Sequence, residues 1–326
     1  MIQRKEFGKR IGAARRTLGL SQTALAEKLR VTPQAVSKWE CGTAMPDIEL
    51  LLELSHLYGI TINDLLEDRD PLAAMNAGGE FRDGIHIYVP PEETSELRSF
   101  GEFVRDSGLI RKNWNAARLR TDWDEAGRRI AEHGGLILEI DAGPGGGFVP
   151  FILKSDPDAS VVLSDLCISV VREWKRFLDG ESASPNIRYA VCDFTSLPFP
   201  DASFGVVSDG GGIVNAVGSR RAAFREAFRV LKPGGIFVTY SGFVPRDALD
   251  SIPEEARTVF LREMPGAFDD LYEATAAAGF RQIDSISAGG WDTDRGDSGF
   301  ADLCGELGVS LRFSAYVRIC IKEERE

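Results

Sequence analysis

Short apolar runs alternate with helical patterns from residue 136 to the end of the sequence, and this alternation most constrains the fold. The runs predict seven strands: LILEI, SVVLSDL, IRYAVCD, FGVVSDG, GIFVTYSG, RQIDSIS and LRFSAYVRICI. Helical patterns between them begin near Val149, Ser169, Arg220 and Asp269. Such alternation predicts an α/β domain with a Rossmann-like, mostly parallel, seven-stranded sheet. Ligands of these sheets lie beyond the carboxyl ends of the strands, so residues at those ends are the first functional candidates.

The glycine-rich stretch LEIDAGPGGG, residues 138–147, spans the end of the first predicted strand. Asp141 ends that strand. The glycines that follow permit a tight turn and close approach of the backbone to a ligand: Gly143, Gly145 and Gly147. A dinucleotide-binding loop would place its third glycine at 148, where this chain has Phe148. Glu139 offers a second alignment, which leaves Asp141 in a glycine position, and we prefer the alignment on Asp141.

Two more acids end predicted strands. Asp165 lies 24 positions after Asp141 at the end of the second strand, where a carboxylate can accept hydrogen bonds from both ribose hydroxyls. Asp193 ends the third strand and opens CDFTSLPFPDASFGVV, and a helix broken at Pro233-Gly234-Gly235 leads into the fifth. In this order and spacing the motifs resemble those of class I S-adenosylmethionine-dependent methyltransferases over about residues 110–326.

This resemblance implies S-adenosyl-L-methionine as the cofactor and a role for each matched residue. Asp141 would hold the methionine ammonium, directly or through water, with the three loop glycines packed beneath the cofactor. Asp165 would bind the ribose, and Leu166 would line the adenine. Asp193 would accept from the exocyclic amine, and Phe194 would offer its backbone N–H to the ring.

The sequence says less about the residues that would hold the methyl acceptor. The candidates for the acceptor side are Asp209, Asn215, Tyr240 and His133, and each is expected to be structural rather than catalytic. Of the four, Asp209 is best placed to be catalytic, at the end of the fourth strand facing the methyl group. The following SDGGGIVNAVGS lacks the proline signature of DNA amino-methylating enzymes, and the Pro-Cys pair of cytosine enzymes is absent. We therefore expect a small-molecule acceptor. Two alternatives stay open: a domain that only senses S-adenosylmethionine or another metabolite, and a DNA or protein methyltransferase.

The first 67 residues carry helical patterns throughout. Ser21 and Thr32 are placed as N-caps, and Pro33 takes the first helical position after a tight turn. Two short helices joined in this way predict an all-α helix-turn-helix bundle. The stretch LGLSQTALAEKLRVTPQAVSKWECGTAMPDIELLLELSHLYGITINDLL resembles the Cro/phage-repressor-type (XRE) helix-turn-helix domain.

The resemblance to the XRE domain implies double-stranded DNA as a partner and a reading helix over about residues 32–40. Gln34 could pair with adenine and Lys38 with guanine. The side chains implied to contact DNA are Gln34, Ser37 and Lys38 at base edges and Arg15 and Gln22 near phosphates. The resemblance also implies a buried ion pair between Arg15 and Glu40. Because such domains read paired half-sites, we expect a homodimer.

The formal charge of −12 is unevenly distributed. Residues 1–67 hold nine basic and eight acidic side chains, a net charge of +1, which leaves −13 for the remainder. An acidic body repels nucleic acid, so DNA contact is expected only in the first domain. We divide the chain into the helix-turn-helix domain (1–67), a linker (68–99) with one short strand near Ile85, and the methyltransferase domain (100–326).

Two segments of the second domain have open roles. Helices expected over residues 95–133 could cover a pocket or simply pack on the sheet, and we favour packing. The insertion at 289–308 could form a lid or an interface.

The five cysteines are scattered and form no CxxC pair, which indicates reduced, cytoplasmic thiols and no metal site. No apolar run is long enough to span a membrane, and MIQRKEFGKR lacks the apolar core of a signal peptide.

Overall fold

The computed structural model describes residues 4–323, except 19, 59–61, 67–71, 73–77, 90–93, 182–185, 217, 269–270 and 293–298. Within these residues the N-terminal part contains helices α1 (Arg4–Thr17), α2 (Gln22–Lys28), α3 (Pro33–Glu40), α4 (Ile48–Tyr58) and α5 (Ile62–Leu66). The predicted caps are present, because Ser21 accepts from the backbone N–H of Ala24 and Thr32 from that of Ala35. Helices this short depend on their shared core, in which Trp39 is buried.

A nine-stranded sheet forms the centre of the rest of the chain. Its strands are β1 (Glu80–Arg82), β2 (Ile85–Ile87), β3 (Ile137–Ile140), β4 (Val161–Asp165), β5 (Ile187–Val191), β6 (Phe204–Asp209), β7 (Leu231–Phe243), β8 (Arg281–Asp292) and β9 (Arg312–Ile321). Their order is β1-β2-β5-β4-β3-β6-β7-β9-β8. Strands β2 to β7 are parallel, and β9 runs antiparallel between β7 and β8. The strand order reverses at β3, which places a ligand crevice beyond the carboxyl ends of β3 and β6.

This architecture confirms the α/β class and the mostly parallel sheet, but the predicted count of seven strands was too low. The two additional strands lie in the predicted linker. One of them, β2, is the short strand expected near Ile85, and it pairs with β5 through His86 and Ala190. Leu72, also in that stretch, is buried in a core cluster of the sheet. The division at residues 67 and 99 stays a prediction, although residues 80–87 lie in the sheet.

The fifth predicted strand also begins earlier than expected. β7 starts at Leu231, directly after a helix, so the predicted Pro233–Gly235 turn lies inside the strand. Gly234 has φ +76, and the pairing with β6 shifts register between Phe204 and Val206. A glycine in the left-handed region lets the strand absorb this bulge without ending.

Helices cover both faces of the sheet. They are α6 (Ser95–Ser107), α7 (Leu109–Leu119), α8 (Asp124–His133), α9 (Val149–Ser155), α10 (Ile168–Gly180), α11 (Gly212–Asn215), α12 (Arg220–Val230), α13 (Glu254–Glu263), α14 (Tyr272–Ala277) and α15 (Gly299–Glu306). Alternate strand residues enter two cores, as Val206 and Val207 do. A smaller apolar cluster joins residues 244–268 to 299–313 and forms a cap next to β7 and β9. No helix in the described part of the chain is both long and apolar enough to cross a membrane.

Candidate functional site

The glycine-rich loop begins with an unusual backbone at Asp141. This residue has φ +50, in the left-handed region that non-glycine residues seldom adopt, and Gly143, Gly146 and Gly147 also have positive φ. A left-handed aspartate is expected if Asp141 occupies a glycine position. The backbone therefore favours the alignment on Glu139, and our preference for the alignment on Asp141 was wrong in this respect.

Glu139 is fully buried at the end of β3 and connects three segments of the site. Its carboxyl group accepts hydrogen bonds from the Ser208 hydroxyl and from the backbone N–H of Gly210, at 3.1 Å. A Cβ atom on Gly147 would collide with the Glu139 carboxyl group, and one on Gly210 would collide with Gly147. Glycine is thus required in both loops because they cross directly over a buried carboxyl group.

Asp141 lines the cavity that lies beyond β3 and β6, and in the described residues no donor is recorded within hydrogen-bond distance of its side chain. Its carboxylate lies against Gly212, where a Cβ atom would collide with it. The triplet Gly210-Gly211-Gly212 therefore makes room for two carboxyl groups, those of Glu139 and Asp141. The sequence contained this signal, but its meaning becomes visible only when β3 and β6 lie side by side.

Asp165 ends β4 with both carboxylate oxygens engaged. They accept from the backbone N–H groups of Gly143 and Cys167, each at 2.8 Å. The residue is 6% exposed, so it fixes the glycine loop against the β4–α10 turn. Each carboxylate oxygen can accept more than one hydrogen bond, so capacity for a ribose hydroxyl remains.

The other predicted nucleoside contacts lie outside the cavity walls. Leu166 is 40% exposed beside Asp165, which leaves an apolar face for an adenine ring. Asp193 accepts from the backbone N–H and the hydroxyl of Thr195, and Phe194 is half-buried. Among the described residues the cavity is lined by Asp141 and the three loop glycines, but not by Asp165, Leu166, Asp193 or Phe194.

Asp209 is fully buried and does not line the cavity. Its oxygens accept from the Thr239 hydroxyl at 2.7 Å and from the backbone N–H groups of Gly211 and Ile213. These bonds fix the glycine triplet and the start of α11. The geometry therefore gives Asp209 a positioning role, and it does not support the predicted role as the catalytic residue.

The cavity has a volume of about 1090 Å³ and extends from the glycine loop to the cap. Helix α7 and the residues after it form one wall, with Asn113, Arg120 and Trp123. Our expectation that the helices of residues 95–133 only pack on the sheet was therefore wrong. The rest of the wall comes from β7 and the cap, including Tyr240, Phe300 and Phe313. Sequence reasoning missed Arg120, Trp123, Phe300 and Phe313, because their proximity depends on segments far apart in the chain.

Burial raises the pKa of all four carboxyl groups around the loop. Desolvation raises the pKa of Glu139 to about 8, that of Asp165 to about 7 and that of Asp209 to about 6. It also raises the pKa of Asp141, whose charge in turn raises the pKa of Asp165 and of Asp209. A cationic ligand would relieve this repulsion.

These features fit S-adenosyl-L-methionine. The glycine loop has open space beside Gly143 and Gly145, where a Cβ atom would meet nothing within 4 Å. The Asp141 carboxylate in the cavity wall suits the positively charged methionine end. Asp165, with Leu166 beside it, suits the ribose and the adenine.

The reading helix of the N-terminal part, α3, presents polar side chains outward. Gln34 and Lys38 are exposed one turn apart, and Ser37 is half-buried between them. Trp39, in contrast, is 4% exposed and belongs to the core. Three of the five predicted DNA contacts thus share one accessible region of α3.

The two predicted phosphate contacts are instead directed at Glu40. Arg15 Nε donates to Glu40 Oε1 at 2.6 Å, and Gln22 Nε2 donates to Glu40 Oε2 at 2.8 Å. The pair of Arg15 and Glu40 is largely buried, as the resemblance implied. Phosphate binding by Arg15 is therefore not supported by the geometry, because its guanidinium also donates to the Leu20 carbonyl.

Two family models match separate parts of the chain. The helix-turn-helix model matches residues 3–65, and the methyltransferase domain model matches residues 140–239, from the end of β3 into β7. These matches confirm both expected domain types and, with the second, S-adenosyl-L-methionine as the expected cofactor.

Several known methyltransferases resemble part of the chain. A ubiquinone/menaquinone biosynthesis C-methyltransferase of Stutzerimonas stutzeri is 33% identical over 136 residues, which are 42% of this chain and 53% of that protein. One from Pseudomonas paraeruginosa is 29% identical over 160 residues, or 49% and 59% of the two chains. The chain thus spans little more than half the length of these relatives. The solved structure of the YcgJ protein from Bacillus subtilis shares 21% identity and a TM-score of 0.45, over 62% of this chain and 98% of its own.

We expect Gly212→Ala to destabilise the second domain by about 1–3 kcal/mol, because the added methyl group collides with the Asp141 carboxylate. Adding Asp141→Gly should restore most of the loss, since it removes the colliding group. Urea unfolding followed by fluorescence measures both effects. Gly218→Ala is the matched control, because nothing lies within 4 Å of its Cβ position. Equal stability of the Gly212 and Gly218 variants would contradict the proposed contact.

We expect the thermal midpoint of the second domain to fall as the pH rises from about 5 to about 8.5. The folded-state pKa values of Glu139, Asp165 and Asp209 lie above their unfolded values. At pH values between the unfolded and the folded pKa, the folded state therefore binds more protons than the unfolded state does. The stability that these protons contribute is complete below the unfolded pKa values and is lost as the pH passes the folded ones.

Asp141→Asn should flatten this dependence, because it removes a charge that raises the pKa of Asp165 and Asp209. The exposed Asp158→Asn should not. Calorimetric scans at several pH values test the expectation, and a midpoint that rises with pH would refute it.

Proposed function

Because the chain joins a helix-turn-helix domain to a methyltransferase domain, we propose that it is a DNA-binding transcriptional regulator with an S-adenosylmethionine-dependent methyltransferase that acts on a small molecule. The observation that carries the proposal is the cavity at the reversal of the strand order, where the Asp141 carboxylate faces open space beside the glycine loop. We further propose that the protein is a cytoplasmic homodimer.

The residues of the second domain divide the task of binding the cofactor. Asp141 would face the ammonium group, and the loop of Gly143, Gly145 and Gly147 would lie against the methionine portion. Asp165 would accept from the ribose, with Leu166, Asp193 and Phe194 around the adenine. When bound, the cofactor supplies a methyl group on a sulfonium, which needs chiefly an acceptor held in line.

The side chains of the protein contribute to the reaction by positioning the reactants more than by transferring a proton. Glu139 accepts a hydrogen bond from Gly210 and Asp209 accepts one from Ile213, so the two side chains fix the backbone before and after Gly212. Neither carboxyl group lines the cavity. The acceptor would therefore be positioned by the cavity rather than activated by Asp209. The charge of −13 outside the first domain argues against a nucleic-acid acceptor, since base-modifying domains need cationic surfaces.

A sensor that binds the cofactor without turnover is the second candidate function. The engagement of Asp209 by Thr239, Gly211 and Ile213 favours it, because the predicted catalytic group has no contact with the cavity. Release of S-adenosylhomocysteine in the presence of a small acceptor would separate the two functions.

We expect calorimetric titration to show micromolar binding of S-adenosylmethionine and S-adenosylhomocysteine. Asp141→Asn should weaken both by about tenfold, because both ligands carry the ammonium group. Asp165→Ala should abolish binding. Asp158→Asn serves as the exposed control. An absence of binding to the unmodified protein would contradict the proposed function.

We expect the protein to bind double-stranded DNA through α3, with its own upstream region as the first sequence to test. Lys38→Ala and Gln34→Ala should each weaken specific binding by about tenfold or more and relax base preference. The measurement is a gel-shift titration at low salt with specific and scrambled duplexes. Lys112→Ala removes an exposed charge from the second domain and should have no effect. Unchanged affinity of the Lys38 variant would argue against α3 as the reading helix.

A further inference from the structure

The cavity has two chemically different halves. One half is formed by Asp141, the glycine loop and the glycine triplet, and it suits the cofactor as proposed above. The other half is aromatic, and its rings come from five separate segments of the chain: Phe151 in α9, Trp123 before α8, Tyr240 in β7, Phe300 in α15 and Phe313 in β9. A Cβ atom on Gly211 would lie 3.3 Å from the Tyr240 ring, so the two halves adjoin.

From this division we propose that the aromatic half is an acceptor subsite for a planar aromatic molecule that carries a hydroxyl group and no positive charge. The inference rests on the proposed function, since it assigns the substrate class of the same cavity.

The rings are arranged for contact with an aromatic ligand. The Trp123 ring lies 5.0 Å from the Tyr240 ring and 5.5 Å from the Phe151 ring, at interplanar angles of 42° and 45°. In the cap, Phe300 and Phe313 meet edge to face at 4.9 Å. Edge-to-face and offset contacts of this kind extend readily to one more ring and stabilise it beyond its buried area.

The position of Arg120 disfavours a cationic ligand in this half. An aromatic lining alone would also suit a quaternary ammonium group. Here, however, the guanidinium of Arg120 already lies over the Trp123 ring, 5.3 Å from its centroid, and Arg120 lines the cavity. Arg120 is itself paired with Asp122, but its guanidinium already occupies the Trp123 face that a ligand cation would use. Glu263, the acid in this half, is exposed and paired with Arg262 at 2.7 Å.

Tyr240 provides the polar contact. Its side chain is half-buried in the cavity wall, and in the described part of the chain no hydrogen bond of its hydroxyl group is recorded. Burial raises its pKa, so the phenol keeps its proton and can donate a hydrogen bond. A hydroxyl oxygen on the ligand would accept this hydrogen bond.

The test is calorimetric titration of 2-naphthol into the full chain, with and without saturating S-adenosylhomocysteine. Two comparators of similar size separate the chemistry: 2-decalol, which is saturated, and trimethyl(2-naphthyl)ammonium, which is cationic. We expect 2-naphthol to bind about tenfold more tightly than either. Equal binding of 2-decalol, or tighter binding of the ammonium compound, would overturn the proposal.

Substitutions of single residues test where in the cavity 2-naphthol binds. Phe313→Leu, at a half-buried position, should weaken 2-naphthol binding by about fivefold and leave S-adenosylhomocysteine binding unchanged. Tyr240→Phe should also weaken it by about fivefold, because the ring stays and one hydrogen bond is lost. Phe103→Leu, a 58% exposed phenylalanine in α6, is the matched control. Equal effects of the Phe313 and Phe103 substitutions would overturn the assignment.

The two proposals fail in distinguishable ways. Binding of S-adenosylhomocysteine without binding of 2-naphthol would refute the aromatic subsite and leave the methyltransferase proposal intact. Binding of 2-naphthol without S-adenosylhomocysteine would refute the proposed methyltransferase function and leave the subsite intact.

Discussion

The buried carboxyl group of Glu139 is the constraint on which the ligand-binding end of the sheet depends. It lies where β3 ends, and the β6 loop donates to it through Ser208 and Gly210. The glycine loop passes so close above it that a side chain at Gly147 would collide with it. A buried carboxyl group is costly unless hydrogen bonds satisfy it, so the two loops and this side chain must fold as one unit. The position of Asp141 in the cavity follows from that unit.

Electrostatics and packing assign different ligands to the two halves of the cavity. Around the glycine loop, burial raises the pKa of four carboxyl groups, and the charge of Asp141 raises that of Asp165 and Asp209 further, so the loop favours a positively charged molecule. In the aromatic half, the guanidinium of Arg120, which is paired with Asp122, lies over the Trp123 ring. A cation placed in that half would find this ring face already occupied, and an anion placed in the other half would meet Asp141. The cavity therefore distinguishes its two ligands by the carboxylate at one end and by the aromatic contacts at the other.

Local features could be predicted from the sequence, and features that depend on distant pairing could not. The caps at Ser21 and Thr32 and the strand ends at Asp165 and Asp209 involve neighbouring residues, and they were predicted correctly. No residue type in the sequence indicates that Asp141 has a left-handed backbone, which is why the sequence alone did not lead us to the alignment on Glu139. The strand expected near Ile85 is β2, but β1 is three residues long, too short for periodicity to separate it from a linker. The aromatic wall depends on residues 123, 240, 300 and 313 meeting in space.

The buried position of Leu72 limits how far the two domains can separate. Helix α5 ends at Leu66, and Leu72 is already packed in a core cluster of the sheet, so five residues connect them. Fully extended, they span about 20 Å. The acidic second domain then stays within a few Debye lengths of any DNA that α3 binds, since that length is about 8 Å at physiological ionic strength. Its repulsion from phosphates subtracts from the attraction of the basic helices. The affinity for DNA should therefore depend less steeply on salt than the basic residues of the first domain alone would give.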